Sequence, residues 1–288
     1  MASSKATQQG GWDYVIRPER RWFDMDLRAI WAYRDLAFMY VKRNFVTLYK
    51  QTILGPMWFV VQPVMTIIIY MFIFGGLAGI STSGIPQPLF YMAGILLWNY
   101  FTDCFGASSN VFVTNANVFG KVYFPRLAIP VSTVLFSLVT FFTQMILFAV
   151  IYVYFVFNEG FAVGANIWIL LTPLMILQLA LLGLGCGIIV SSVTTKYRDL
   201  SILVGFGIQL WMYATPVVYP VSQVGEKYYN LIMLNPVAPV INNFRYAYLG
   251  SGEAEVRMWL VSVLFTFLIL FIGVILFNRV EKNFMDTV

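Results

Sequence analysis

The sequence predicts an all-α polytopic membrane protein. The expected architecture is six transmembrane helices, with an amphipathic interface helix before them and re-entrant or interfacial helices before the last. Three observations carry this expectation. The 288 residues are 60% hydrophobic and 11% charged, with a mean hydropathy of +0.77, more apolar surface than a water-soluble domain buries. Apolar runs near the roughly 20 residues needed to cross a bilayer recur along the chain. All but three of the 18 Lys and Arg residues fall in segments that alternate on one side of such spans; the three are Lys227, Arg245 and Arg257. That asymmetry places both termini in the cytoplasm.

Residues 1–26 are polar and charged, with no apolar core of a cleaved signal peptide. They read as a cytoplasmic tail. Asp24-Met25-Asp26 matches a short acidic pattern of some glycosyltransferases, but no nucleotide-binding domain surrounds it. Residues 27–45 are expected to form the amphipathic helix. Arg28, Asp35 and Lys42 recur at heptad spacing on one face, opposite Ile30, Tyr33, Ala37, Tyr40 and Val41. Such a helix anchors at the membrane surface, and its charged face suits a cytoplasmic partner.

Residues 46–288 then form the membrane domain. Lys42 to Gly76 passes from a basic, aromatic stretch into an uncharged span at 57–76, with Gly55 and Pro56 at the junction. Pro56 suits a first helical turn, and Pro63 interrupts the span. A second span is expected at 89–109, carrying one acid, Asp103, which should face a cavity or the bundle interior. The basic segment 110–127 follows. A third span at 128–157 is long enough to tilt or project. A fourth occupies 167–192, where Gly183, Gly185 and Gly187 read as close helix packing, not as a nucleotide loop. The loop 193–199 is basic, a fifth span is expected at 200–219, and a sixth at 257–277. The outside segment 220–256 is apolar but broken at Asn235-Pro236 and Pro239, so it should form short helices against the bundle.

Composition also narrows function. The net charge of +5 follows from the cytoplasmic basic residues and needs no nucleic acid as partner. The chain has no histidine, the commonest general base and metal ligand. Cys104 and Cys186 lie in apolar stretches and read as small hydrophobes. No Walker A motif is present: the only Gly-Lys pair, Gly120-Lys121, has Asn115 in place of the first glycine and Val122 in place of Ser or Thr. No catalytic, cofactor or metal site is expected in this chain.

Several short motifs stand in a fixed order. They are Tyr49-Lys50-Gln51-Thr52-Ile53-Leu54-Gly55-Pro56 with Trp58, then Asn115-Ala116-Asn117 and Lys121-Val122-Tyr123-Phe124-Pro125-Arg126-Leu127. Tyr197-Arg198-Asp199, Pro216-Val217-Val218-Tyr219-Pro220 and Leu234-Asn235-Pro236 follow. From about residue 28 to its end the chain resembles the membrane subunit of type-2 ABC exporters of polysaccharides and polyol phosphates. The pattern is nearest the O-antigen exporter permeases, and teichoic-acid and capsule exporter permeases share much of it.

The resemblance implies a transport subunit, not an enzyme, in a bacterial inner membrane. It implies a homodimer bound to two cytoplasmic ATPase subunits, which carry ATP and Mg²⁺. It further implies export of an undecaprenyl-type lipid-linked polysaccharide from the cytoplasm. Arg28, Asp35, Lys42, Asn117, Lys121, Tyr123, Arg126, Tyr197, Arg198 and Asp199 are then the expected ATPase-coupling residues.

A sugar polymer needs a continuous path with aromatic faces and with amide or hydroxyl groups. Gln62, Thr66 and Tyr70 recur at i, i+4 and i+8, and Gln209 and Tyr213 at i and i+4. With Asp103 these are the candidate channel residues. Tyr219, Asn235, Pro236, Phe244 and Arg245 are the expected outside gate, with Arg245 paired to Glu253 or Glu255 or meeting a substrate phosphate. The rival classes are an ion-coupled secondary transporter, for which Asp103 is the only deep acid, and a membrane-embedded transferase, against which the absence of histidine argues.

Overall fold

The computed structural model describes residues 31, 33–50, 55–111, 127–161, 164–194 and 199–287. The expected tail 1–26 lies outside them. The described helices are α1 (Arg34–Lys50), α2 (Trp58–Tyr70), α3 (Gln87–Ser109), α4 (Ala128–Asn158), α5 (Thr172–Thr194), α6 (Leu200–Tyr213), α7 (Glu226–Met233), α8 (Ala238–Leu249) and α9 (Val256–Thr287). A 3₁₀ turn, Gly55–Met57, leads into α2, and a π-helical stretch, Met71–Leu77, extends it. Another 3₁₀ turn, Ile167–Leu171, leads into α5, and its first N–H groups are met by Asn166, whose side chain accepts from the Trp168 N–H at 3.0 Å.

The six-span expectation is corrected by the helices themselves. Among the described residues four helical segments are long and apolar enough to cross a membrane: Trp58–Leu77, Ala128–Asn158, Ile167–Thr194 and Val256–Arg279. Helix α3, expected as a span, is long enough at 23 residues, but Asn99, Thr102, Asp103, Ser108 and Ser109 dilute its apolar run. It is instead the core of the bundle: Leu89 through Trp98 are all buried, as are Tyr100, Phe101, Cys104 and Phe105. Helix α6, also expected as a span, has 14 residues. At 1.5 Å per residue it extends about 21 Å, short of a roughly 30 Å hydrocarbon core.

Small residues on α5 explain why α3 is so enclosed. A Cβ added at Gly183 would stand 2.7 Å from the Cys104 Cβ and 2.9 Å from the Phe101 carbonyl oxygen of α3. One added at Gly187 would stand 2.4 Å from the Ser108 Cβ and 2.6 Å from the Phe105 carbonyl oxygen. Gly185, on the other side, lies against α9: a Cβ added there would stand 3.0 Å from the Leu270 Cα, and a Cβ at Gly273 of α9 would meet the Gly185 carbonyl oxygen at 2.8 Å. The alternation of faces along α5 therefore joins three helix backbones, since glycine alone permits that approach.

Helices α1 and α4 pack on the same bundle. Ala37 and Tyr40 of α1 are buried, and Tyr40 shares a cluster with Val111, Ala128, Ile129, Ile188, Val274 and Phe277. Asp35 and Lys42 point the other way and are exposed. The segment between α6 and α9 folds into α7 and α8, and α8 is buried along most of its length against α3 and the 3₁₀ turn before α5. Gly164 makes this junction possible, because a Cβ there would lie 2.3 Å from the Leu249 carbonyl carbon. By contrast α2 and α6 are exposed along much of their length, with Met65, Ile68, Ile69, Ile202, Leu203 and Phe206 outward, surfaces matched to an apolar solvent.

The Gly187→Val variant should lower stability by about 1–3 kcal/mol, because a branched side chain must push α3 away from α5. The control Gly207→Ala, where nothing lies within 4 Å of an added Cβ, should be neutral or slightly stabilising. Thermal unfolding of the two variants in detergent, compared with the parent chain, measures the difference. Equal melting temperatures would dismiss the close-packing role of Gly187.

Candidate functional site

A groove of about 850 Å³ opens between α1, α2, α3 and α4. Helix α1 contributes Asn44 and Thr47 from its C-terminal half, and α2 contributes Trp58, Phe59 and Gln62 from its first turns. Helix α3 presents Asn99, Thr102, Asp103 and Ala107, which fall on one face at helical spacing. Helix α4 presents Thr133, Phe136, Ser137, Thr140 and Gln144 on another. Ten of the 14 lining residues are polar. Polar side chains so placed in a membrane protein face water or a polar ligand, since hydrocarbon cannot satisfy them.

The hydroxyl groups are held by their own helices. Thr47 donates to the Arg43 carbonyl at 2.9 Å, Thr102 to the Asn99 carbonyl at 3.0 Å, Thr133 to the Pro130 carbonyl at 2.8 Å and Ser137 to the Thr133 carbonyl at 3.2 Å. Their oxygens keep free lone pairs toward the groove. The side chains of Gln62, Asn99, Asp103 and Gln144 have no hydrogen bond to any described residue. Gln144 is 5% exposed as a whole, and what remains accessible of its unbonded amide faces the groove. Asp103 is the one charged residue in the described lining. The arrangement offers amide and carboxylate groups for hydroxyls, with Trp58, Phe59 and Phe136 as flat apolar faces beside them.

Of the candidate channel residues the structure brings Gln62 and Asp103 into this groove. Thr66 and Tyr70 lie further along α2. The Thr66 hydroxyl donates to the Gln62 carbonyl at 2.9 Å, and the Tyr70 hydroxyl donates to the Met212 sulfur at 3.3 Å, its ring edge-on to Tyr91. Gln209 and Tyr213 are exposed on α6. Sequence reasoning passed over Asn99, Thr133, Ser137, Thr140 and Gln144. A signal was present, because Thr133, Ser137, Thr140 and Gln144 recur at i, i+4, i+7 and i+11 within an otherwise apolar span.

The residues expected to gate the outside form a tightly bonded block. Arg245 is 3% exposed. Its guanidinium donates to the carbonyls of Pro216 at 2.6 Å, Val217 at 2.5 Å and Phe90 at 3.3 Å, and lies 3.7 Å over the Phe90 ring. The expected pairing with Glu253 or Glu255 is therefore corrected: carbonyls from two other segments take the two terminal guanidinium nitrogens, while Nε is buried without a hydrogen-bond partner. Gly94 leaves the room, because a Cβ there would stand 2.6 Å from an Arg245 nitrogen. The Glu255 carboxylate instead accepts from the Tyr229 hydroxyl. Burial, then that hydrogen bond, pushes the Tyr229 phenol above its usual range.

Asn235 ties α6 to the turn before α8. Its side-chain oxygen accepts from the Trp211 indole at 3.1 Å and the Val237 N–H at 3.2 Å, and its amide donates to the Thr215 hydroxyl at 2.7 Å. The Pro236 carbonyl accepts from Ser262, which accepts from Gln178 at 2.6 Å, whose oxygen accepts from the Trp259 indole at 2.7 Å. Phe244 is buried with its ring 4.5 Å from Tyr248, and the Tyr219 hydroxyl donates to the Tyr213 carbonyl at 3.4 Å.

Of the expected coupling residues, Asp35, Lys42 and Asp199 are exposed. Asp35 lies 4.0 Å from Arg34, and the Asp199 carbonyl accepts from the Ile202 N–H at the start of α6. Arg28, Asn117, Lys121, Tyr123, Arg126, Tyr197 and Arg198 lie outside the described residues.

Comparison with known proteins assigns the family. Residues 36–249 match the model of the ABC-2 type transporter, so the chain belongs to that family. It is 29% identical over 255 residues to an O-antigen export system permease protein RfbA of Klebsiella pneumoniae, covering 88% of this chain and 94% of that protein. It is 26% identical over 244 residues to an O-antigen export system permease protein RfbA of Myxococcus xanthus, covering 82% and 90%. It is 20% identical over 239 residues to the polysialic acid transport protein KpsM of Escherichia coli, covering 81% and 89%.

Replacing Arg245 by Met should destabilise the chain by about 2–4 kcal/mol, because three carbonyls lose a charged donor. The Glu253→Gln, Glu255→Gln double variant should leave Arg245 satisfied and cost about 1 kcal/mol or less. Thermal unfolding in detergent separates them; a double variant as unstable as Arg245→Met would restore the ion-pair expectation.

Proposed function

We propose that this chain is the channel-forming membrane subunit of an ATP-driven exporter. Its cargo is a lipid-linked cell-surface polysaccharide of the O-antigen kind, carried out of the cytoplasm across a bacterial inner membrane. The observation that carries this reading is the similarity, over 88% of the chain, to proteins named as O-antigen export permeases. Membership of the ABC-2 type transporter family supports ATP as the energy source. The lack of a Walker A motif in this sequence supports hydrolysis on a separate subunit. Two copies of this chain pair with two ATPase subunits, and both termini lie in the cytoplasm, as the basic residues favour.

In this reading α1 and the basic segments 110–127 and 193–199 transmit ATPase motion. Asp35, Lys42 and Asp199 are exposed, which supports contact with a partner. Asn117, Lys121, Tyr123, Arg126, Tyr197, Arg198 and Arg28 complete the surface. The groove between α1 and α4 supports a hydroxyl-rich cargo through its amides and aromatic faces. A capsule exporter is the second reading, favoured by the similarity to the polysialic acid transport protein.

Purification of the chain from its native membranes in mild detergent tests the assignment. A P-loop ATPase should accompany it in equal amount, and the complex should hydrolyse ATP. Tyr123→Ala and Arg198→Ala should each lower that activity severalfold without lowering the amount of folded permease, since each removes one contact of about 1–2 kcal/mol at an interface. A chain that purifies alone under several gentle conditions, with transport abolished by collapsing the proton gradient, would overturn the reading in favour of ion coupling.

A further inference from the structure

We propose that the groove between α1, α2, α3 and α4 is a loading site for an uncharged, hydroxyl-rich stretch of the glycan, and that Asp103 makes it discriminate against anionic polymers. The proposal rests on the export reading and adds to it a substrate class and a specificity residue. Four observations lead to it.

The groove is large, about 850 Å³, and its lining combines amides and hydroxyls with three aromatic rings. That pairing matches a sugar, whose rim of hydroxyls surrounds apolar C–H faces. Gln144 is 5% exposed as a whole, and its amide, which bonds to no described residue, keeps its accessible surface in the groove. An amide so placed can donate to and accept from a polar ligand there. Gln62 and Asn99 stand unbonded on the facing helices, so donors and acceptors converge from three sides.

The charge balance of the lining decides between polymer classes. Asp103 projects from α3 into the groove, and no Lys or Arg lies among the described lining residues. A carboxylate accepts strong hydrogen bonds from hydroxyl groups. It repels a phosphodiester or a sugar carboxylate in the same space. Arg43, which is not among the lining residues, donates to the side chain of Asn44 at 3.3 Å and stacks 4.3 Å over Tyr40. A site built for a phosphate-rich polymer would place guanidinium or ammonium groups inside.

Position supports loading over release. The groove lies between the C-terminal half of α1 and the first turns of α2, beside the basic segment that ends at Lys50. It therefore opens at the membrane face that carries α1, where a cytoplasmic substrate arrives in the export reading.

Trp58 lines the groove and supplies a reporter. The full-length chain, with its co-purified ATPase, is labelled with 5-fluorotryptophan in lipid nanodiscs at pH 7. The Trp58 resonance is assigned by its loss in Trp58→Phe. Two probes of equal length are titrated, a linear mannose oligomer and a glycerol-phosphate oligomer. The mannose oligomer should shift the resonance, and the glycerol-phosphate oligomer should bind on the order of tenfold more weakly, as one repelling unit charge predicts. Asp103→Asn should keep mannose binding within about threefold and close most of the gap.

Failure to respond to either probe overturns the site. Equal or tighter binding of the glycerol-phosphate oligomer by the parent chain overturns the discrimination, as does an unchanged gap in Asp103→Asn. ATP hydrolysis by the same sample judges the export reading separately. An active complex with a silent Trp58 sinks the groove alone, whereas a chain without any ATPase sinks the export reading and leaves a measured sugar site.

Discussion

Close contact between α5 and α3 is the constraint from which the rest of the structure follows. Gly183 and Gly187 bring the α5 backbone against Phe101, Cys104, Phe105 and Ser108 of α3. Any side chain there would separate the helices. Because apolar solvent gives helices no hydrophobic reason to associate, this fit of backbone to backbone supplies the packing attraction itself. Gly185 and Gly273 repeat the device between α5 and α9. Once α3 is walled in by α5, α4 and α8, the side of α3 bearing Asn99 and Asp103 is left to open into the groove.

Polar residues in this chain divide into two populations by what they touch. Arg245, Asn235 and Gln178 are bonded to named partners from distant segments. They join α3, α5, α6 and α9 to the segment that precedes the last span, and their removal leaves buried groups without partners. Gln62, Asn99, Asp103 and Gln144 have no such partners and converge on one space. The first population is scaffold. The second is chemistry waiting for a ligand. Residue exposure alone does not separate them, since Gln144 is 5% and Arg245 3% exposed; what differs is that the unbonded Gln144 amide keeps accessible surface in the groove.

The same division explains where a reading of the residues succeeded. The glycine ridge of α5 was legible as helix packing, because glycines in an apolar run without a preceding strand have few other uses. In α1 Asp35 and Lys42 stand exposed while Ala37 and Tyr40 are buried. Asp103 lines the groove, one of the places open to an acid on an apolar helix. Arg245 was not legible as a ligand of backbone carbonyls. Carbonyls are present at every residue and carry no sequence signature, so the acidic side chains Glu253 and Glu255 drew the attention instead. Counting spans went wrong for a related reason. Helix α3 owes its depth to protein neighbours, and α6 ends at Tyr213, where the chain turns, so apolar runs joined in sequence are not continuous helices.

The sequence by itself determined the solvent and the material of this protein. Its 60% hydrophobic composition and the placement of its Lys and Arg residues require a helical membrane domain. It contains no Walker A motif. These are sums over residues or local patterns, and they hold whatever the helices touch. Tertiary structure decided which polar residues became scaffold and which became site. Helical spacing puts Gln62, Thr66 and Tyr70 in one row, but only the packing of α2 against α3 and α4 places Gln62 in the groove and Tyr70 against Met212. A helix fixes the relative directions of its own side chains. What stands opposite each of them is fixed by segments distant in sequence, as the 142 residues between Tyr70 and Met212 show, and that pairing is a property of the whole fold.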